Sequence, residues 1–466
     1  MPASQTFAFA PSSAQARILH VLRPEDVAAF LAGPGAEWSG WLTATGFEAG
    51  LGELQLLPGA AGSVAGAVVG YGTAQARRRL RFGLAKAVTG LPAGNWSLAG
   101  KLDASERTEA ALAWLLAGYR FDRYRPGRKP LSLARLVCPD GLDATRLIAM
   151  AEAEALSRDL INTPAEDMGP AELEAAVLAL AGEYGATTDV IRGDDLLVRN
   201  FPMIHAVGRA SPRDPRLMDL SWGRKGPKLT LVGKGVCFDT GGLNLKPSNG
   251  MNLMKKDMGG AATVIGLARM IMALDLPLRL RVLVPAVENA VSGNALKPKD
   301  ILTSRKGLTV EVNDTDAEGR LILADALAFA CEGAPDVLIC MATLTGAARV
   351  AVGPDLAPYY TDDSGLAAAL EAGAKASFDP VWRMPFHDAY ETVIEPGIAD
   401  LDNAPGFGFA GSVTAALFLR RFVEGPRYLH FDIYGHTPSD QPARPKGGVG
   451  QGARAVLEGL PAMMQL

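Results

Sequence analysis

From Leu229 onward, short apolar runs that read as buried strands alternate with longer helical runs. This alternation points to a mixed, largely parallel sheet flanked by helices, an α/β fold. The strand-like runs are Leu229–Val232, Leu280–Pro285, Val337–Met341 and Tyr428–Ile433, and the helical ones are Ala261–Leu274, Leu321–Cys331 and Ser412–Val423. A hydrophobic content of 48% is ample for the core such a sheet needs. Residues 1–140 read as a smaller N-terminal α/β domain, with strands at Leu54–Leu57, Ser63–Gly70 and Trp96–Leu98 and a helix at Thr108–Tyr119. A loop over Asp122–Pro130 and a strand over Leu131–Val137 close it. Residues 141–165 form a linker region whose helix covers Asp143–Ile161, and residues 166–466 form the larger domain. There Pro170 opens a helix at its first position, and Gly185 stops it after Tyr184.

Acidic and basic residues gather at the ends of these runs. In Asn313-Asp314-Thr315-Asp316-Ala317-Glu318-Gly319-Arg320-Leu321, two carboxylates and a guanidinium fall at every second position. An extended chain would point Asp316, Glu318 and Arg320 to one side, where two acids attract a divalent cation. A helical chain would make Asp316 and Arg320 a surface pair worth a few tenths of a kcal/mol. The stretch Lys228–Ala262 adds Lys234, Asp239, Lys246 and Asp257. Gly233-Lys234-Gly235 reads as a sharp turn that lets a ligand come close. Asp239 and Asp257 each stand just before a glycine pair, at strand or helix ends, where open α/β folds place active groups. Taken singly, each residue has a structural explanation: a solvated lysine at Lys234, a pre-proline turn at Lys246, a helix cap at Asp257. Taken together they fit one site. The spacing of a phosphate loop is absent around Lys234, and none of the five histidines forms a zinc-protease motif, so a metal site here is built from carboxylates.

NDTDAEGRL resembles the signature of the leucine aminopeptidase (cytosol aminopeptidase) family of dinuclear metallopeptidases. GKGVCFDTGGLNLK, MKKDMGGAA, RDLINTPAEDMGP and MATLTGA resemble further blocks of that family, in order, over roughly the C-terminal two-thirds of the chain. The resemblance implies an aminopeptidase that releases N-terminal residues, leucine-like ones above all. It implies two divalent metals, Mn²⁺ or Zn²⁺, clamping a bridging hydroxide. Asp239, Asp316 and Glu318 would hold one metal, and Lys234, Asp239, Asp257 and Glu318 the other. Lys246 and Arg320 would be catalytic, with Arg320 holding a bicarbonate proton shuttle. Met254 would line the pocket for the first side chain, Thr343 and Leu344 would bond the peptide through their backbone, and Gly346 would leave it room. The family also implies a homohexamer acting on peptide substrates. The family signature carries asparagine where this chain has Asp314. That acid faces away, or raises a neighbouring carboxylate's pKa, or shifts specificity modestly toward basic or polar first residues.

A net charge of −4 gives no field for a polyanion, so nucleic acid is not an expected partner, although Arg77-Arg78-Arg79-Leu80-Arg81 and the basic residues between Arg120 and Lys129 form local patches. Four scattered cysteines without paired spacing read as reduced thiols of a cytoplasmic protein. The first residues lack the basic start and apolar core of a signal peptide, and no apolar run reaches the roughly 20 residues of a membrane helix.

Overall fold

The computed structural model describes residues 7–125 and 134–466. Part of the expected Asp122–Pro130 loop and the start of the Leu131–Val137 strand therefore fall outside the described residues. The chain forms two compact units, one of residues 1–155 with 439–446, the other of residues 156–438 with 447–466. Among the described residues no helix is long and apolar enough to cross a membrane.

In the first unit, strands β1 (Arg17–Leu22), β2 (Leu54–Pro58), β3 (Val64–Gly70), β4 (Gly94–Gly100) and β5 (Ala134–Leu136) form one sheet in the order β2-β3-β1-β4-β5. Helix α1 (Ala104–Ala117) starts earlier than its apolar run suggests. Asp103 and Glu106 form a reciprocal cap that satisfies its first free N–H groups. Helix α2 (Ala144–Asn162) leads into the second unit.

That unit opens with α3 (Pro170–Tyr184), which ends at a left-handed Gly185. Strands β6 (Thr187–Arg192), β7 (Arg216–Trp222), β8 (Lys228–Gly233), β9 (Gly235–Asp239) and β10 (Arg279–Asn289) follow, with α4 (Pro202–Gly208) and α5 (Gly259–Ala273) between them. Then come β11 (Ile301–Thr303), β12 (Thr309–Glu311), α6 (Glu318–Glu332), β13 (Val337–Ala342), α7 (Gly346–Val352) and β14 (Ala357–Tyr360). The chain continues through α8 (Ser364–Ser377), β15 (Val381–Met384), β16 (Leu401–Asp402), α9 (Gly411–Arg420), β17 (Arg427–Asp432) and α10 (Ala453–Met464). The large sheet runs β15-β14-β17-β13-β8-β10-β7-β6, with β9 also on β10. Its centre, β17-β13-β8-β10, is parallel, while β7, β6 and β14 run antiparallel to their inner neighbours. Leu231, Val232, Ile339 and Cys340 on the central strands are fully buried, as are most residues of α5 and α6. This is the mixed, largely parallel sheet that the alternation predicts.

Two local expectations are corrected. Gly233-Lys234-Gly235 is not a sharp turn. The register of β8 on β10 continues through it into β9, from Val232 opposite Leu283 to Gly235 opposite Ala286. The glycines serve close approach instead, since a Cβ on Gly233 would sit 2.7 Å from Ala261 Cα. Asn313–Leu321 is neither a strand nor wholly a helix: it is a turn through Asp316 that enters α6 at Glu318.

Candidate metal centre

The carboxyl ends of the central strands bring the candidate residues together. Lys234 follows β8, Asp239 ends β9, Thr343 follows β13 and Asp432 ends β17. Asp257 lies in a 3-10 turn, Met254–Met258, that runs directly into α5. Asp316 precedes α6, and Glu318 and Arg320 lie in its first turn. Lys234, Asp239, Asp257, Asp316, Arg320 and Thr343 line a cleft of about 500 Å³, which Lys246, Met254, Leu344 and Gly346 also face. A Cβ on Gly319 would lie 2.4 Å from Lys234 Cε, so the glycine of the signature lets α6 carry Glu318 up to that lysine.

The polar geometry is tight. Asp239, Asp316 and Glu318 each offer a carboxylate oxygen, all within 4.8 Å of one another, and could hold a metal ion. Lys234 Nζ lies 2.7 Å from Asp257 Oδ2 and 3.0 Å from Glu318 Oε1, and donates to Thr343 O at 3.0 Å. Lys246 Nζ lies 2.8 Å from Asp239 Oδ2 and 2.5 Å from Asp316 Oδ1. Both oxygens of buried Glu318 lack a hydrogen bond of good angle, as do Asp257 Oδ2 and Asp316 Oδ1, although lysines stand within ion-pair distance of three of these atoms. Lone pairs left this way in a dry site are what a cation satisfies.

Burial governs the electrostatics. It raises Glu318 and Asp257 above the usual carboxylate range, with Asp239 adding repulsion and Lys234 opposing. It lifts Asp316 to about 6, helped by Asp239 and, more weakly, Asp314. Burial alone would discharge Lys234, but Asp257, Glu318 and Asp239 outweigh it and hold the ammonium above its ordinary pKa. Lys246 is raised in the same way by Asp239 and Asp316. Arg320 is buried, lowered to about 10 by desolvation, and makes no hydrogen bond or ion pair with a described residue. Lys256 is lowered to about 8 for the same first cause.

Several supporting residues carry no signal in the sequence. Asn289 Nδ2 donates to Asp239 Oδ1 at 2.8 Å and to Thr315 O at 3.0 Å, tying one ligand candidate to the loop of another. Asn403 Oδ1 accepts from the N–H groups of Asn313 and Asp314, and its Nδ2 donates to Asp314 O. Asp432 accepts from the N–H groups of Leu344 and Thr345 and from Ser412 Oγ. The Leu344 N–H is thus engaged inside the protein, and Thr343 O receives Lys234. Asp314 does not face away: it lines the cleft, and its Oδ1 accepts the Asp316 N–H at 2.8 Å.

A doubly covered α/β sheet with a buried carboxylate–lysine centre at its carboxyl edge defines an enzyme of the open-sheet class. Comparison with known proteins specifies the kind. Residues 155–457 match the catalytic domain of the cytosol aminopeptidase family, and residues 18–139 match the M17 aminopeptidase N-terminal domain. A probable cytosol aminopeptidase of Leifsonia xyli subsp. xyli is 38% identical over 98% of this chain and 96% of its own. The crystal structure of cytosol aminopeptidase from Coxiella burnetii is 42% identical, with a TM-score of 0.90 over 96% of this chain and 97% of that one. The bottromycin maturation enzyme BotP in complex with Mn is 31% identical, with a TM-score of 0.86 over 97% of this chain and 100% of that one. The chain belongs to the cytosol aminopeptidase family. It is a peptidase, a hydrolase of the aminopeptidase type.

Proposed function

We propose that this enzyme removes N-terminal residues from peptides with the help of two divalent metal ions. The observation that carries the reading is the convergence of Asp239, Asp257, Asp316 and Glu318 around Lys234, three of these acids offering oxygens within 4.8 Å of one another. The donor set fits the group. Asp239, Asp316 and Glu318 would hold one ion, and Lys234, Asp239, Asp257 and Glu318 the other, with Asp239 and Glu318 common to both sets. Mostly carboxylate donors suit hard ions such as Mn²⁺, and Zn²⁺ is accommodated as well. When bound, such a pair supplies Lewis-acid polarisation and a source of hydroxide near neutral pH.

The chain's own groups do the rest. Lys234 must give up its proton to serve as a ligand, which neighbouring dications favour. Lys246, charged and at the cleft wall, steadies the negative charge that grows on the scissile carbonyl oxygen. Arg320, which makes no ion pair with a described residue, would hold a small anion such as bicarbonate, and that anion would supply proton transfer toward the departing amine. Water adds across the first peptide bond: its oxygen goes to the carbonyl carbon, and the released amine takes the proton. The substrate amine sits at the Asp257–Lys234 end, which limits cleavage to the first bond. Met254 lines the pocket for a leucine-like first side chain, Gly346 leaves room for the chain, and the backbone at Thr343 and Leu344 aligns it. A homohexamer in the cytoplasm is the assembly and location that accord with this family.

The test is hydrolysis of leucyl-p-nitroanilide by Mn²⁺-loaded protein beside Lys246→Ala and Asp316→Ala. A loss of at least a hundredfold in kcat/KM in both variants supports the reading. Unchanged rates would remove both residues from the chemistry.

A further inference from the structure

Two cations in the cleft have no part in the hydrolysis just described. Lys256, in the same turn as Met254 and Asp257, is only 7% exposed, and its ammonium lies 5.0 Å above the ring of Tyr434. The Arg349 guanidinium, from α7, lies 5.1 Å from the same ring. All three side chains line the cleft. Neither cation makes an ion pair or a side-chain hydrogen bond with a described residue. The nearby acids are committed elsewhere. Asp257 holds Lys234 and accepts from Thr343 Oγ1, and Asp432 holds the Leu344–Thr345 backbone and Ser412.

A buried ammonium without a counter-ion is costly, and a second cation on the same ring adds repulsion. Attraction to the ring is worth about 0.5–2 kcal/mol per cation and offsets only part of that. An anion between them would complete both. Their place in the cleft says which anion. Lys256 adjoins Asp257, and Asp257 is bonded to Thr343, so the pair stands at the end proposed for the substrate amine. The first side chain lies there, and the leaving peptide does not. A glutamate has an apolar stem that can lie along Met254 and a terminal carboxylate that reaches beyond it.

Resting on the aminopeptidase reading, we propose that Lys256 and Arg349, held on Tyr434, receive the side-chain carboxylate of an acidic first residue, making N-terminal glutamate and aspartate substrates of this enzyme.

The experiment compares kcat/KM of Mn²⁺-loaded protein on glutamyl-, leucyl- and lysyl-p-nitroanilide, for the natural chain, Lys256→Met and Arg349→Gln. The expected result is glutamyl turnover in the natural chain, with a glutamyl-to-leucyl ratio that falls at least tenfold in Lys256→Met and several-fold in Arg349→Gln. Arg349 is exposed, so its variant keeps the test open should Lys256→Met fail to fold. Leucyl turnover without glutamyl turnover, or a ratio unmoved in both variants, overturns the proposal while leaving the aminopeptidase reading in place. A tenfold preference for leucyl-glycine over its amide that disappears in Lys256→Met also overturns it, because the cations would then read a terminal carboxylate. Absence of turnover on every aminoacyl substrate would fell the aminopeptidase reading, and this proposal with it.

Discussion

Asn289 holds Asp239 in place: its Nδ2 donates to Asp239 Oδ1 at 2.8 Å, and both residues are buried. Asp239 Oδ2 faces the cluster, where it lies 2.8 Å from Lys246 Nζ. Groups that orient a metal ligand from behind typically govern metal affinity by 10–100-fold. Asn289→Ala should weaken Mn²⁺ binding by about that factor, read by calorimetric titration of metal-stripped protein. Affinity equal to that of the natural chain would show that Asp239 is positioned without it.

Asp325, on α6, ties that helix to α4 and to the loop after β11. Its Oδ2 accepts from the N–H groups of Met203 and Ile204 at the start of α4, and its Oδ1 from Arg305 N at 2.8 Å. Burial raises its pKa to about 7 against the pull of those donors. Removing the carboxylate strands three donors, each costing about 1–3 kcal/mol when left dry. Asp325→Ala should lower unfolding stability by about 3 kcal/mol or more in urea denaturation. A loss under about 1 kcal/mol would mean that water replaces the carboxylate.

At Asp314 the charge and the hydrogen bond can be separated. An asparagine oxygen can accept the Asp316 N–H as the carboxylate does, whereas alanine cannot. Asp314→Asn should therefore fold with stability within about 0.5 kcal/mol of the natural chain, and Asp314→Ala should lose about 1 kcal/mol. Equal losses in the two variants would show that the charge, and not the turn, is what matters there.

His430 sets a pH dependence. It is fully buried on β17, stacked on Tyr360 with ring centroids 5.9 Å apart, and neither ring nitrogen finds a hydrogen-bond partner among the described residues. Burial lowers its pKa to about 3. The unfolded chain takes up a proton near pH 6.5 and the folded chain does not. The contribution is thus complete above about pH 6.5 and is lost, by up to about 1.4 kcal/mol per pH unit, as pH falls toward the folded value. His430→Phe should abolish that part of the acid slope, so stability curves of the two proteins should diverge between pH 6.5 and about 4. Parallel curves would mean that His430 is protonated in the fold.

Much of this was legible in the sequence because strand ends and glycine pairs mark where an open sheet presents its chemistry. Asp239 and Asp257 stand where that rule puts them. The Asn313–Leu321 motif was legible in its residue types and not in its shape. Alternation left an extended and a helical reading open, but Asn403 and Asn244 hold the segment in a turn through contacts some 70 to 90 residues away in sequence. Asn289 and Asp432 were not legible at all, since each acts through a partner that only the folded sheet brings near. Strand β1 escaped as well: Arg17–Leu22 owes its place to parallel pairing with β3 and β4.

The central claim is that the carboxylate cluster around Lys234 binds two metal ions and that peptide hydrolysis depends on them. Metal-stripped protein should be titrated with Mn²⁺ while bound metal per chain and leucyl-p-nitroanilide hydrolysis are recorded together. The account predicts no turnover without metal, two ions per chain at saturation, and a rate that rises as the sites fill. Full turnover in stripped protein, or saturation without any bound ion, would contradict it.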